Sequence, residues 1–128
     1  MSEYRQIAVR QEELDDVGTV VVAKALRARF LDELHIRDFG DELLRVLATK
    51  PNAMVVNFEA VEFLSSSTIG QLVKVRKQAR SADVRLVLTE LDETVMEVFR
   101  MTHLDKQMEI NTTEKRALAS LAFPIAEK

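Results

Sequence analysis

Two apolar runs, Ala53-Met-Val-Val-Asn-Phe58 and Val84-Arg-Leu-Val-Leu88, bracket an amphipathic stretch, and this arrangement limits the possible folds more than any other feature of the chain. A strand with one face in water alternates apolar and polar residues, whereas a strand covered on both faces is apolar nearly throughout. Both runs are of the second kind. Strand, helix, strand in that order implies a parallel crossover with helices over the sheet. The helix between the runs starts near Ser66, turns Ile69, Leu72, Val73 and Ala79 inward, and leaves Gln71, Lys74, Lys77, Gln78 and Arg80 outward. Its outer side is basic.

The segments before these runs have a different character. Residues 7–14 and 17–25 are rich in β-branched side chains and are divided by Asp15, Asp16 and Gly18, all turn formers, so they read as an antiparallel hairpin. Over residues 34–48 the apolar Ile36, Phe39, Leu43, Val46 and Leu47 recur every three or four positions, opposite Arg37, Asp38, Asp41, Glu42 and Arg45. That is an amphipathic helix, closed by Lys50, Pro51 and Asn52. Between Lys24 and Leu34 the apolar Leu26, Phe30 and Leu31 fit neither period, which predicts a partly buried loop.

After the second run a helix is expected over residues 92–100, carrying Val95, Val98 and Phe99. A turn at His103-Leu104-Asp105 follows it, then a short strand over 107–110. A last helix begins at Asn111-Thr-Thr-Glu114, where the spacing suits a capping box with Asn111 or Thr112 as cap and Glu114 reaching back; it buries Ala117, Leu118 and Leu121. The order is β-β-α-β-α-β-α-β-α. It predicts an α/β fold, a mixed sheet with a parallel centre and flanking helices, as one domain over residues 1–128.

Composition removes several functions. The 128 residues are 47% hydrophobic and 30% charged, with 18 Lys and Arg against 21 Asp and Glu, a net charge of −3. No stretch gathers the basic residues that track a phosphate backbone, which argues against nucleic acid. The absence of cysteine excludes disulfides, thiolate metal sites and cysteine nucleophiles. No apolar run nears the ~20 residues of a membrane span, and the N-terminus lacks a secretory core, so a cytoplasmic protein without membrane contact is expected.

Catalytic patterns are missing as well. Three glycines, at 18, 40 and 70, make no phosphate loop, and no Gly-x-Ser-x-Gly elbow surrounds the serines. His35 and His103 are far apart, with no acidic residue at ligand spacing, and read as surface or capping residues. The pairs Asp32-Glu33 and Asp41-Glu42 read as a helix entrance and a helix face, and Arg76, Lys77 and Arg80 as a solvated helix face. No catalytic residue, metal site or cofactor is assigned.

The informative constellation lies at residues 63–72, Phe-Leu-Ser-Ser-Ser-Thr-Ile-Gly-Gln-Leu, where hydroxyl residues open a helix after a strand and a loop. The first N–H groups of a helix have no partner inside it, and the macrodipole adds about half a positive charge there, so a serine oxygen caps the end well. A phosphate on that serine would add ~1.5 to 2 negative charges at the surface.

This segment is similar to the signature of STAS domains of the anti-sigma factor antagonist kind, in which a hydrophobic pair leads into Asp-Ser-Ser/Thr-Gly-Leu-Gly at the second helix. Residues 94–106 resemble the family's third helix and turn, and Glu109-Ile110 with Ala117-Leu118 its last strand and helix; the likeness spans roughly residues 5–122. Aligned on Gly70, the resemblance implies Ser66 as phosphoacceptor, with Ser67, Thr68 and Ser65 in reserve. It also implies a partner surface of Ser65, Ser66, Ser67, Thr68, Ile69 and Lys74. The expected partners are an anti-sigma factor or serine protein kinase and a phosphatase. Where the family carries Asp before the phosphoserine, this chain has Ser65. The alternative role is an unphosphorylated subunit of a larger assembly, such as a stressosome-like complex or a lipid-transport ATPase.

Overall fold

The computed structural model describes residues 4–122. Strands β1 (Ile7–Leu14) and β2 (Gly18–Ala25) form the hairpin. They are followed by α1 (Glu33–Ala48), β3 (Ala53–Asn57), α2 (Ser66–Ser81), β4 (Arg85–Thr89), α3 (Glu93–Met101), β5 (Glu109–Asn111) and α4 (Glu114–Ala122). One sheet holds the five strands in sequence order. β1 is antiparallel to β2, and every other pairing is parallel. The expected order and the parallel centre are both present.

All five residues of β3 are buried because each face of the sheet is covered. Met54 and Val56, with Val21, Ala23 and Leu88, face α1, α2 and α3. Ala53 and Val55, with Val20, Val22 and Val87, face Ala117 and Leu121 of α4. Alternate residues of one strand thus serve two cores, which is why the run shows no period of two.

Several boundaries differ from expectation. Gln107 and Met108 precede β5, because a one-turn 3-10 helix at Leu104–Lys106 occupies the chain there. The last helix begins at Glu114, and no capping box forms. Thr113 is the cap, its Oγ1 accepting from Arg116 N at 3.0 Å, while the Glu114 side chain turns toward the sheet. Within α2, Val75 is buried and Val73 only half-buried. Glu42, expected on the outer face of α1, is 6% exposed. The 24–34 stretch is held by Phe30, which is fully buried, while Leu26 and Leu31 point outward.

Two glycines are fixed by close approach. Gly18 has φ +105, and a Cβ there would fall 2.3 Å from Asn52 Oδ1, the atom that accepts from Thr19 N. Gly40 lies where α1 meets α2, and a Cβ there would sit 2.0 Å from Gln71 Oε1 and 3.1 Å from Gln71 Cβ. Gln71, expected outward, instead places this oxygen in the buried seam without a hydrogen-bond partner. Gly40→Ala therefore gains ~1 kcal/mol of helix propensity but meets an overpacking cost of ~1–3 kcal/mol. Urea unfolding should show it destabilising in the native sequence and stabilising in a Gln71→Ala background. The same sign in both backgrounds would refute the contact.

Candidate functional site

The hydroxyl cluster sits where the loop after β3 becomes α2. Phe58, Val61 and Leu64 are buried and pin this loop to the core. Its backbone is tied down at both ends, with Phe58 N donating to Thr89 O at 2.9 Å, and Glu62 N to Ala28 O at 2.7 Å. The Phe63 ring stays exposed, with the Arg29 guanidinium 6.0 Å from its centroid.

Ser65, not Ser66, is the cap of α2. Its backbone is extended and its Oγ accepts from Thr68 N at 3.2 Å, while lying 3.1 Å from Thr68 Oγ1. Ser66 and Ser67 occupy the first turn and both are exposed. Thr68 is fully buried and Ile69 is 8% exposed. As placed, Thr68 has no access to a modifying enzyme, and Ile69 serves the core. Lys74 is exposed but lies eight residues beyond Ser66, about 12 Å along the helix at 1.5 Å per residue. It stands apart from the serines rather than beside them. Arg76 is partly anchored, its Nε donating to Gln107 O at 2.7 Å, which leaves Lys77 and Arg80 as the exposed cations of that face.

What stands opposite the serines is set by a contact between two helices distant in the chain. Residues Glu33, Leu34, Ile36 and Arg37 of α1 and Ser67 and Gln71 of α2 line a groove of about 290 Å³. Both helices begin at this end of the sheet. Asp32 caps α1, its Oδ1 accepting from Leu34 N at 2.8 Å and His35 N at 3.4 Å, and these bonds hold its carboxyl below the usual range. Leu34, like Leu31 just before it, exposes more than half its surface. Leu34 opens the helix pattern of α1, but only the contact of α1 with α2 shows that it shares a groove with Ser67.

On the opposite face of the sheet, the end of β3 carries a polar group. Asn57 Nδ2 donates to Glu114 Oε2 at 2.8 Å, and Asn57 Oδ1 accepts from Glu59 N at 2.8 Å. Glu114 also pairs with Arg10, and Glu90 Oε2 accepts from Glu114 N at 2.8 Å. The hydrogen bond from Arg10 holds the Glu114 carboxyl below its ordinary value; partial burial opposes this and Asn57 adds to it. Among the described residues no group of His, Asp and Glu is arranged to hold a metal, and no helix is long and apolar enough to cross a membrane.

An exposed serine just inside a capped α2, behind a parallel β3, is the arrangement implied by the resemblance, and the STAS domain family model matches residues 21–117. The chain belongs to the STAS domain family. Among solved STAS structures it is similar to an anti-sigma-factor antagonist (STAS) domain protein from Planctomyces limnophilus. That likeness has 26% identity and a TM-score of 0.76, over 91% of this chain and 97% of that one. The Bacillus cell fate determinant SpoIIAA in its phosphorylated form matches at 20% identity and TM-score 0.61, over 89% and 99%. A chain of the stressosome, a signal integration and transduction hub, matches at 20% and 0.64, over 88% and 95%. The last two show the STAS fold alone.

Proposed function

We propose that this STAS domain is a regulatory binding module of the anti-sigma factor antagonist kind. It captures an anti-sigma factor or similar serine kinase while Ser66 is unmodified, and lets go when Ser66 is phosphorylated. A phosphatase resets it. The observation that carries this reading is the exposure of Ser66 at the first position of α2, one residue past the cap, with no acidic residue in that first turn. The antagonist from Planctomyces limnophilus and the phosphorylated form of SpoIIAA support it.

Ser65 takes on a specific meaning here. Asp and Ser are about equally good caps, so Ser65 supplies the helix-start geometry that the family's aspartate would supply, without its charge. The switch is a local charge event. Ser66 Oγ bonds to the γ-phosphorus of kinase-bound ATP as the bond to ADP breaks, and the hydroxyl proton passes to a base of the kinase. The new charge, ~1.5 to 2 units, disrupts a surface fitted to a neutral hydroxyl. The protein itself serves as substrate, not enzyme, and acts in the cytoplasm.

The test is phosphorylation by a candidate partner kinase, with the site located by mass spectrometry. Ser66→Ala should take up no phosphate at this turn, while Ser67→Ala remains a substrate. Ser66→Asp should weaken capture at least tenfold, about 1.4 kcal/mol. Equal affinity of wild type and Ser66→Ala before and after incubation with kinase and ATP would sink the reading. The stressosome likeness favours a scaffold role second, and self-assembly of the pure protein would select it.

A further inference from the structure

The polar group at the start of α4 lies on the other face of the sheet from α2, yet it is bonded to the loop that leads to Ser66. Asn57, 5% exposed, uses both ends of its amide, one toward Glu114 and one toward Glu59 N. Lys24 Nζ reaches Glu59 Oε1 at 3.1 Å, Arg10 pairs with Glu114, and Glu90 accepts from Glu114 N. Side chains from β1, β2, β3, the β4–α3 link and α4 therefore meet at the point where residues 58–64 leave the sheet.

One buried polar atom beside this group has no partner. Thr89 is opposite Asn57 in the parallel register, is fully buried, and its Oγ1 makes no hydrogen bond among the described residues. A buried polar atom left unpaired costs ~1–3 kcal/mol. If Glu114 withdraws, the Asn57 amide loses an acceptor beside a strand neighbour whose own hydroxyl is unsatisfied. A group with an unsatisfied member can redistribute its bonds when one partner leaves, which is what an element that couples two places requires.

We propose that α4 is a second control point of the switch: Glu114, acting through Asn57, sets the conformation of residues 59–65 and hence the presentation of Ser66. Asn57 is a positioning residue here, and contact with the partner is left to the α2 side. The consequence for phosphorylation rests on the proposed role of Ser66, whereas the link between α4 and the loop is a property of the fold. Displacement of α4 by a binding partner would release the loop without touching α2.

A double-mutant cycle tests this in the full chain. Asn57→Asp keeps an acceptor for Glu59 N but sets a carboxylate against that of Glu114, and Glu114→Gln then restores a donor opposite it. Amide exchange at residues 59–67 should speed up at least about tenfold in Asn57→Asp, return to within about threefold in the double variant, and stay near wild type in Glu114→Gln alone. Ser66 phosphorylation should follow the same order. Uniform acceleration across the chain, or no recovery in the double variant, overturns the proposal. Restored exchange with phosphorylation unchanged in every variant overturns the control role. No phosphorylation of the wild type would refute the reading of Ser66 and leave exchange to decide the link. If Asn57→Asp does not fold, Glu114→Ala carries the same exchange test from a more exposed position.

Discussion

Phe39→Ala should cost this domain about 3–5 kcal/mol, the usual range for emptying a buried phenylalanine site. Phe39 is fully buried in α1, its ring 4.5 Å from that of Phe30 and 6.5 Å, edge-on at 76°, from that of Phe58. The three rings come from the loop before α1, from α1, and from the start of the loop that leads to Ser66. Aromatic pairs of this geometry contribute ~0.5–1.5 kcal/mol beyond their area. Domains are stable by only ~5–15 kcal/mol, so the variant sits near the edge of folding at 37 °C. Phe39→Leu refills most of the cavity and should recover more than half of the loss. Urea denaturation read by circular dichroism decides the matter, and a loss below about 1 kcal/mol for Phe39→Ala would show that the cluster is not the keystone of the loop docking.

The fold was legible where one physical rule governs a whole segment. The apolar run of β3, the three- and four-residue spacing in α1 and the turn formers at Asp15 and Asp16 each yielded elements within a residue or two of those observed. Legibility failed where the deciding contact is distant in sequence. Phe30 belongs to no period because it packs from a loop, and its partner Phe39 is found only once α1 is in place. Glu114 stands at a position suited to a capping box, but a pairing with Arg10, far along the chain, outweighs the local bond and leaves capping to Thr113. Gln71 looks solvated by its polarity and is drawn into the seam because Gly40 opposite has no side chain.

The candidate site divides in the same way. A helix start rich in hydroxyls was readable, since caps follow local rules, but the assignment of capping to Ser65 and exposure to Ser66 turns on a single residue of register. Resemblance pointed to Ser66 by alignment on Gly70, and that side chain, like Ser67, is exposed. The groove with Arg37 and the bond from Asn57 to Glu114 were invisible, because each joins elements that the order of the chain keeps apart. What resists sequence reading is therefore the wiring around the serine rather than the serine itself.

Glu42 shows how large such a hidden contact can be. It sits on the polar side of the α1 pattern, yet its carboxylate accepts from Arg5 N at 3.0 Å and from Gln6 N at 2.8 Å, and Gln6 is itself buried. Hydrogen bonds to a charged acceptor are worth ~1.5–3 kcal/mol each, and removing the acceptor strands the Gln6 amide away from water. Glu42→Ala should therefore cost about 2–4 kcal/mol, and Glu42→Gln, which keeps one good acceptor, roughly half as much. The damage should spread in a definite direction. Gln6 O accepts from Leu26 N at 3.0 Å and the Gln6 side chain accepts from Arg27, so the segment held by Glu42 in turn holds the start of the loop that carries Leu31 and leads to Leu34 at the groove. Amide exchange in Glu42→Ala should accelerate at Gln6, Leu26 and Arg27 more than in α2. Equal acceleration in both regions would mean that Glu42 stabilises the fold as a whole and does not hold that loop against α1.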